Sequence, residues 1–435
     1  MSEQTADTRQ FAKSEQMLDR AERVIPLGSQ TFSKSRTQFP VGVSPLFLER
    51  GDGCRVWDVD GNEYIDFISS LCAITLGYKD PDVDSAVRAQ LDSGVILSLP
   101  HQLETEVAEL LCEMVPCAEM VRFGKNGSDA TSGAIRISRA FTGRDHVAVC
   151  GYHGWQDWYI GSTARNRGVP QAIRDLTHSF LYNDLASLEK VFADNPGQIA
   201  AVILEPMNVE WPAEGFLEGV RALCTQHDAV LVFDETITGF RYANGGAQEL
   251  FGVTPDLATF GKGLANGYPV AAIAGRADIM KLMEEIFFSF TFGGEMLSLA
   301  AAKATMEKLK AEPVIETIRG HGQALLARIP ALVEKHGLSD SISVKGHPSW
   351  SFLMMKDHEA ADAFALKTLL MQEFHQRGIL GFGTHNINYA HGDAEIARLH
   401  EVYDEIFAIM AEALNGGDFQ SYLRCPPLVP LFKVR

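Results

Sequence analysis

The chain has 435 residues, 46% of them hydrophobic and 22% charged, enough to bury the core of one large domain and a smaller one. Its formal net charge of -18, from 38 basic against 56 acidic side chains with no local basic stripe, argues against a nucleic-acid partner. The seven cysteines (54, 72, 112, 117, 150, 224 and 425) are odd in number, include no CxxC pair and lie scattered, as in a reducing compartment, so a cytoplasmic location is expected.

The opening stretch "MSEQTADTRQFAKSEQMLDRAERVIPLG" is polar and amphipathic and lacks the basic flank and apolar run of a signal peptide. No uninterrupted apolar run approaches the roughly 18 residues of a membrane span, so no membrane partner is expected. Residues 45–68, "PLFLERGDGCRVWDVDGNEYIDFI", alternate apolar and polar positions around Gly51-Asp52-Gly53 and Asp60-Gly61, which predicts a small antiparallel meander. Leu103, Val107, Leu110, Leu111 and Met114 recur at helical spacing and predict a helix over about 101–115.

From about 120 to 275, short β-branched runs ("HVAVC", "IAAVIL", "AVLVFD", "DLATF") alternate with helical stretches, the pattern of a mostly parallel sheet covered by helices on both faces. After 295 helical patterns dominate, interleaved with the strand-like pieces "SISVKG", "WSFLMMK" and "INYAH". The expected organisation is a segment with the meander over 1–70 that goes with the small domain, a large α/β domain over 71–310, and a small α+β domain over 311–435.

Two strands carry the chemistry. "VLVFDE" ends in Asp234 and "LATFG" leads to Lys262, with a connection long enough for a crossover, so in a parallel sheet both emerge at the carboxyl edge where open α/β folds bind ligands. In "FGKNGSDATSGAIRISRAFTGRD" a glycine-containing turn runs into a helix whose Ala130, Ala134, Ile137 and Phe141 form the expected buried face. The free backbone N–H groups of Gly127, Ser128 and Asp129 at that start, with the Ser128 hydroxyl, make a phosphate cup without a P-loop lysine. Tyr152 in "GYHGWQDW" stands just past a strand end, where a flat ring can stack on it.

Cup, aromatic, carboxylate and lysine together describe pyridoxal 5'-phosphate held as a Schiff base on Lys262. Crowding among apolar and glycine neighbours favours the neutral amine, and an ionised Asp234 keeps the pyridine nitrogen protonated. A metal is not expected: "HEAAD" and "HEVYD" begin like HExxH but end in aspartate, and the 13 histidines show no ligand spacing.

The stretch "FDETITGFRYANGGAQELFGVTPDLATFGKGLANGYPVAAIAG", with "VWDVDGNEYIDF", "NGSDATSGAIRISRAFTGRD" and "GYHG", resembles the class III aminotransferases, within them the glutamate-1-semialdehyde aminomutase group. The resemblance spans roughly 25–310, with a fainter continuation to "NINYAHGDAEI". It implies the pyridoxal-phosphate transferase fold type I and a homodimer with shared active sites. It assigns Gly127 and Ser128 to the phosphate, Tyr152 and Thr236 to opposite faces of the ring, Asp234 to the pyridine nitrogen and Lys262 to the Schiff base. It further places Glu205 near the active site and Thr291 of "TFGG" on the phosphate of the neighbouring subunit.

The chain also departs from that group. "DIMKLMEEIFFSFTFGG" is shorter than the aminomutase gating loop and carries Phe287, Phe288 and Phe290. Where the aminomutases have a carboxylate-gripping arginine, "GSQTFSKSRTQF" offers Lys34 or Arg36. No arginine occurs between Arg377 and Arg398, so the carboxylate-binding arginine of α-amino acid transaminases is missing, and His385, Asn386 and Asn388 are left as donors to a polar substrate. The expected activity is transfer of an amino group between an amino donor and an aldehyde or ketone acceptor. An intramolecular aminomutase, a lyase or decarboxylase on the same scaffold, and a silent homologue remain alternatives.

Overall fold

A computed structural model describes residues 9–429. The chain divides into two compact units, one comprising Cys72–Leu76 and Asp80–Glu316, the other drawn from both ends of the chain, up to Leu71, with Gly77–Lys79, and from Thr317 onward.

The larger unit is built on a seven-stranded sheet. In spatial order its strands are Met120–Gly124, Ala271–Gly275, Leu257–Phe260, Val230–Asp234, Ile199–Leu204, His146–Cys150 and Thr177–Ser179. Only Ala271–Gly275 runs against its neighbours; the other pairings are parallel. The reversal follows from chain length: residues 261–270 are too few for the dozen or so that a parallel crossover takes. The central strands are buried along their whole length, as continuous β-branched runs must be when both faces are covered.

Strand alternation then sorts the core. Val147, Val149, Ala201, Ile203, Val230 and Val232 pack on one face with Ala130, Ala134 and Ile137 of the helix Gly127–Thr142. Ala148, Val202, Leu204, Leu231 and Phe233 pack on the other with the helices Leu185–Asp194 and Phe216–Gln226. Truncating one such residue, for instance Ile203→Ala, costs about 2–5 kcal/mol because the close-packed layers collapse only partly into the void. Phe141, expected on the buried face, is instead exposed, with the Arg276 guanidinium 5.9 Å from its ring centroid; the last helical turn has left the packed layer. The expected helix spans Gln102–Met114, buries Leu103, Val107 and Leu111, and starts with a capping box between His101 and Glu104.

In the second unit the meander forms as Leu48–Asp52, Arg55–Asp58 and Glu63–Asp66, antiparallel throughout. Its last strand takes a parallel partner from late in the chain, Ile379–Leu380. A separate three-stranded sheet joins Ile342–His347, Trp350–Met355 and Thr384–Asn386. The third strand lies on "THN" and not on "INYAH": Asn388 turns the chain there, its Oδ1 accepting the Ala390 N–H and its own N–H bonding His391 Nδ1. Ser69, Ser70, Leu71 and Cys72 all adopt left-handed φ (46°, 47°, 61° and 67°), a conformation that disfavours side chains. No helix among the described residues is long and apolar enough to cross a membrane.

Candidate active site

The register of the large sheet gathers the chemistry on one rim. Cys150 pairs with Leu204, Leu204 with Phe233, and Asp234 with Thr259. The residues that follow in each strand, Tyr152 and His153, Glu205, Asp234 itself and Lys262, therefore leave the sheet at the same carboxyl edge.

Asp234 is buried and surrounded by donors. Its Oδ1 accepts the Thr236 N–H (3.1 Å), the Thr236 hydroxyl (2.6 Å) and the Thr259 hydroxyl (3.2 Å), and its Oδ2 meets His153 Nδ1 at 2.8 Å. Burial pushes its carboxyl up, but His153 and the Thr236 donors together outweigh burial and hold it below the usual carboxylate range. His153 itself is sealed, with its Nε2 3.2 Å from the Cys150 carbonyl. Both ring nitrogens face oxygen, one the Asp234 carboxylate and the other the Cys150 carbonyl.

Lys262 opens the short helix Lys262–Ala265 at a left-handed φ of 44°, the kind of backbone strain that collects at functional sites. Burial lowers its pKa; the negative charges of Glu205 and Asp234 pull it back up, Arg241 reinforces the lowering, and the net shift is downward. Among the described residues its ammonium has no hydrogen-bond partner.

The cup is built at the start of Gly127–Thr142. Asp129 caps this helix by accepting the N–H groups of Lys125 and Asn126 and bonds its own N–H to the Asn126 carbonyl, which removes it from the predicted donor set. The N–H groups of Gly127 and Ser128 keep no partner among the described residues, and the Ser128 hydroxyl accepts the Trp155 N–H at 3.3 Å, leaving its own proton to donate. Two glycines make the approach possible. A Cβ on Gly154 (φ +102°) would stand 2.3 Å from Ser128 Oγ, and one on Gly127 would stand 3.1 Å from Thr236 Cγ2. Thr236 thus lies directly beside the cup.

Tyr152 is half-exposed and packs edge-on against Tyr159, 5.7 Å between centroids. Burial and the nearby Asp234 and Glu205 carboxylates push its phenol up. Glu205 accepts the Tyr152 N–H at 3.0 Å and is bridged by Asn208 Nδ2, so it fixes the backbone that carries the aromatic. Thr291 sits exposed on the turn after Phe290, and no hydrogen bond joins it to the cup among the described residues.

The remaining candidates belong to the second unit. Among the described residues Lys34 Nζ bonds the Ser70 hydroxyl (3.1 Å) and stays exposed, whereas Arg36 is engaged by Glu22. His385 is enclosed, its nitrogens on Ser351 Oγ (2.8 Å) and Tyr403 OH (2.6 Å), and burial holds its pKa down at about 3. Asn386 Nδ2 donates to the Ile68 carbonyl at 2.6 Å, while its Oδ1 is buried without a partner. His153 and Thr259 are the site residues that the sequence reading missed. His153 stood inside the quoted "GYHG", and Thr259, two residues after the start of a strand, carries its hydroxyl to the Asp234 face.

An anion cup at a helix start, an ionised buried carboxylate and a desolvated amine on one rim of a mostly parallel sheet are the features of a pyridoxal-phosphate transferase. The chain belongs to the family "Aminotransferase class-III", whose profile matches residues 38–403. It is 34% identical over 419 residues to the 3-aminobutyryl-CoA aminotransferase of Cloacimonas acidaminovorans, covering 94% of this chain and 100% of that protein. It is 40% identical over 346 residues to the glutamate-1-semialdehyde 2,1-aminomutase of Geotalea daltonii, covering 75% and 80%. Among solved structures, the FumI protein of Sphingopyxis sp. MTA144 with its PLP superposes with a TM-score of 0.87 at 29% identity, over 96% of this chain and 99% of that one. The β-phenylalanine aminotransferase of Variovorax paradoxus follows with 0.81 at 27%, over 91% and 94%. Class III aminotransferases depend on pyridoxal phosphate, and amino transfer is the chemistry of the family.

Proposed function

We propose that this chain binds pyridoxal 5'-phosphate on Lys262 and moves an amino group from an amino donor to an aldehyde or ketone acceptor that lacks an α-carboxylate. The observation that carries it is the convergence of Lys262, Asp234 and the free N–H groups of Gly127 and Ser128 at one sheet rim. The residues fit the cofactor: two unpaired N–H donors and a spare hydroxyl proton suit a phosphate, and an ionised carboxylate suits a protonated pyridine nitrogen. The absence of arginine between Arg377 and Arg398 supports an acceptor without an α-carboxylate, as do relatives named for 3-aminobutyryl-CoA and β-phenylalanine.

When bound, pyridoxal phosphate supplies an aldehyde that captures the amine and a ring that accepts the electron pair released at carbon. The chain's residues do the rest. Gly127 and Ser128 hold the phosphate, and Thr291 of a second copy completes its cage in a homodimer with shared sites. Tyr152, set by Glu205, and Thr236 flank the ring. Asp234 keeps a proton on the pyridine nitrogen. The Lys262 amine, its pKa lowered by burial, would be the base that takes the proton from the substrate carbon bearing nitrogen and the acid that delivers it to the carbon on the other side of that nitrogen. Lys34, which has no ion pair among the described residues, is the better of the two N-terminal cations for an anionic substrate group, since Arg36 is spent on Glu22. The scattered cysteines without a CxxC pair support a cytoplasmic setting.

Borohydride reduction of the cofactor-saturated protein, followed by peptide mapping, tests this directly: the label is expected on Lys262, and a label elsewhere overturns the assignment. Lys262→Ala should lower turnover by about 10²–10⁴-fold, the range that a lost general base takes, while the cofactor remains bound non-covalently. The second reading, an intramolecular aminomutase, is favoured by the 40% identity to the Geotalea enzyme. An isomerised product formed with no added donor or acceptor would establish it.

A further inference from the structure

A recess in the second unit, beside the strand Thr384–Asn386 that also carries His385 and Asn386, has the makings of a binding site. It has a volume of about 290 Å³ and is walled by Phe352, Met354, Phe364, Lys367, Phe382 and Thr384, among others. Its origin is in the sheet. Trp350–Met355 pairs with Thr384–Asn386 only as far as Phe352↔Thr384, and beyond it a single bond from the Leu353 N–H to the Gly383 carbonyl continues the ladder. A cleft opens where pairing stops, between the strand end, the helix Ala363–Gln376 and the chain entering Thr384. Phe352 and Thr384 are register partners, so their side chains share one sheet face, and Met354, two residues on, shares it too.

The wall is apolar apart from two groups, and neither has a hydrogen-bond or ion-pair partner among the described residues. Lys367 has no carboxylate and no hydrogen bond among the described residues; its Nζ rests 5.4 Å from the Phe382 ring centroid. Thr384 Oγ1 is buried with no hydrogen-bond partner. In a chain with 56 acidic residues against 38 basic ones, where most lysines bound by ion pairs sit on the surface, an amine left alone in an apolar recess is unusual. Burial without a counter-charge costs free energy, and lowers the pKa of Lys367. A ligand with a single negative end removes that cost; one with an apolar body covers the phenylalanines and methionine, and methionine adapts to chains of varied shape.

We propose that this recess binds a small monocarboxylate with an apolar chain, its carboxylate on Lys367 and its chain along Phe352, Met354, Phe364 and Phe382. At about 30 Å³ per water-sized group the space takes roughly ten heavy atoms, the size of octanoate. Its occupancy does not depend on the reading of the amino-transfer centre.

Octanoate is the probe, titrated calorimetrically into the full-length protein saturated with pyridoxal phosphate. One equivalent is expected to bind. Lys367→Met, which keeps the apolar stem and removes the charge, should weaken binding by about tenfold or more, and Lys367→Arg should keep it within a few-fold. Octylamine, with the same chain and the opposite charge, should bind at least about tenfold more weakly than octanoate. Absence of octanoate binding to the unaltered protein, equal binding by Lys367→Met, or equal binding of octylamine would each overturn the proposal.

Discussion

Asp234 shows how little of a residue's role lies in the residue. A carboxylate at a strand end, far from water, has every reason to take up a proton, and what prevents this is the set of donors turned toward it: two threonine hydroxyls, one backbone N–H and His153. His153 contributes most after burial itself, and it holds no contact with bulk water. Replacing it with phenylalanine keeps an aromatic ring between Trp158 and Tyr159 while deleting both hydrogen bonds. His153→Phe is therefore expected to raise the dissociation constant of pyridoxal phosphate by about 10–100-fold, the worth of a hydrogen bond to a charged group, with His153→Asn recovering part of it. Fluorescence titration of the apo-protein with cofactor measures this, and an unchanged constant for His153→Phe would remove His153 from the site. That Asp234 and Lys262 leave the same sheet edge was legible in the sequence, because Asp234 ends one strand and Lys262 follows another by two residues. His153 was not, because its partner is 81 residues away and nothing in "GYHG" says which ring nitrogen meets which oxygen.

At the level of elements, the four central strands of the large sheet and the helices Gln102–Met114 and Gly127–Thr142 followed from the sequence pattern, whereas turns that break the rules did not. The left-handed run Ser69–Cys72 has no glycine and no turn residue beyond serine, so local preference argues against it; buried bonds from the Asp66 carboxylate to the Ile68 and Ser69 N–H groups hold its entry in place. The glycines of the cup are the reverse case, required by geometry and visible as letters. Gly154 and Gly168 separate two reasons for being glycine. Both have left-handed φ (+102° and +94°), but an added Cβ meets Ser128 Oγ at 2.3 Å in the first and nothing within 4 Å in the second. Gly168→Ala should cost only the backbone strain, about 1–3 kcal/mol. Gly154→Ala should cost that and also displace Ser128 from the cup, so it alone should weaken cofactor binding. Parallel thermal melts and cofactor titrations of the two variants distinguish the contributions, and equal cofactor affinity in both would show that Ser128 does not serve the phosphate.

For the whole molecule, the mostly parallel α/β core was legible from the alternation of strand-like and helical runs, because a strand covered on both faces must be apolar throughout. The pairing of Glu63–Asp66 with Ile379–Leu380, more than 300 residues later, was not, since two residues of strand carry no periodicity to read. The unit that contains this pairing buries several histidines, among them His375, His385 and His391, and these bear on its behaviour in acid. Burial holds His375 and His391 down to about 4 and His385 to about 3. In His375, Nδ1 meets the Val43 carbonyl at 3.2 Å while Nε2 is buried without a partner, so a second proton would enter with no acceptor. The unfolded chain binds protons on these rings near the ordinary histidine value of about 6.5, the folded chain only below about 4. Between those limits the unfolded state holds more protons, so the stability these groups provide is complete above pH 6.5 and drains away as pH falls toward 4. The urea midpoint followed by tryptophan fluorescence should therefore drop steadily from pH 7 to pH 4.5, a range in which ordinary surface carboxylates are still largely ionised. His375→Leu, which removes one of the three titrations and keeps the ring's volume apolar beside Phe39, should flatten the slope. A midpoint that stays level across this window would mean that these rings are not held neutral by the fold.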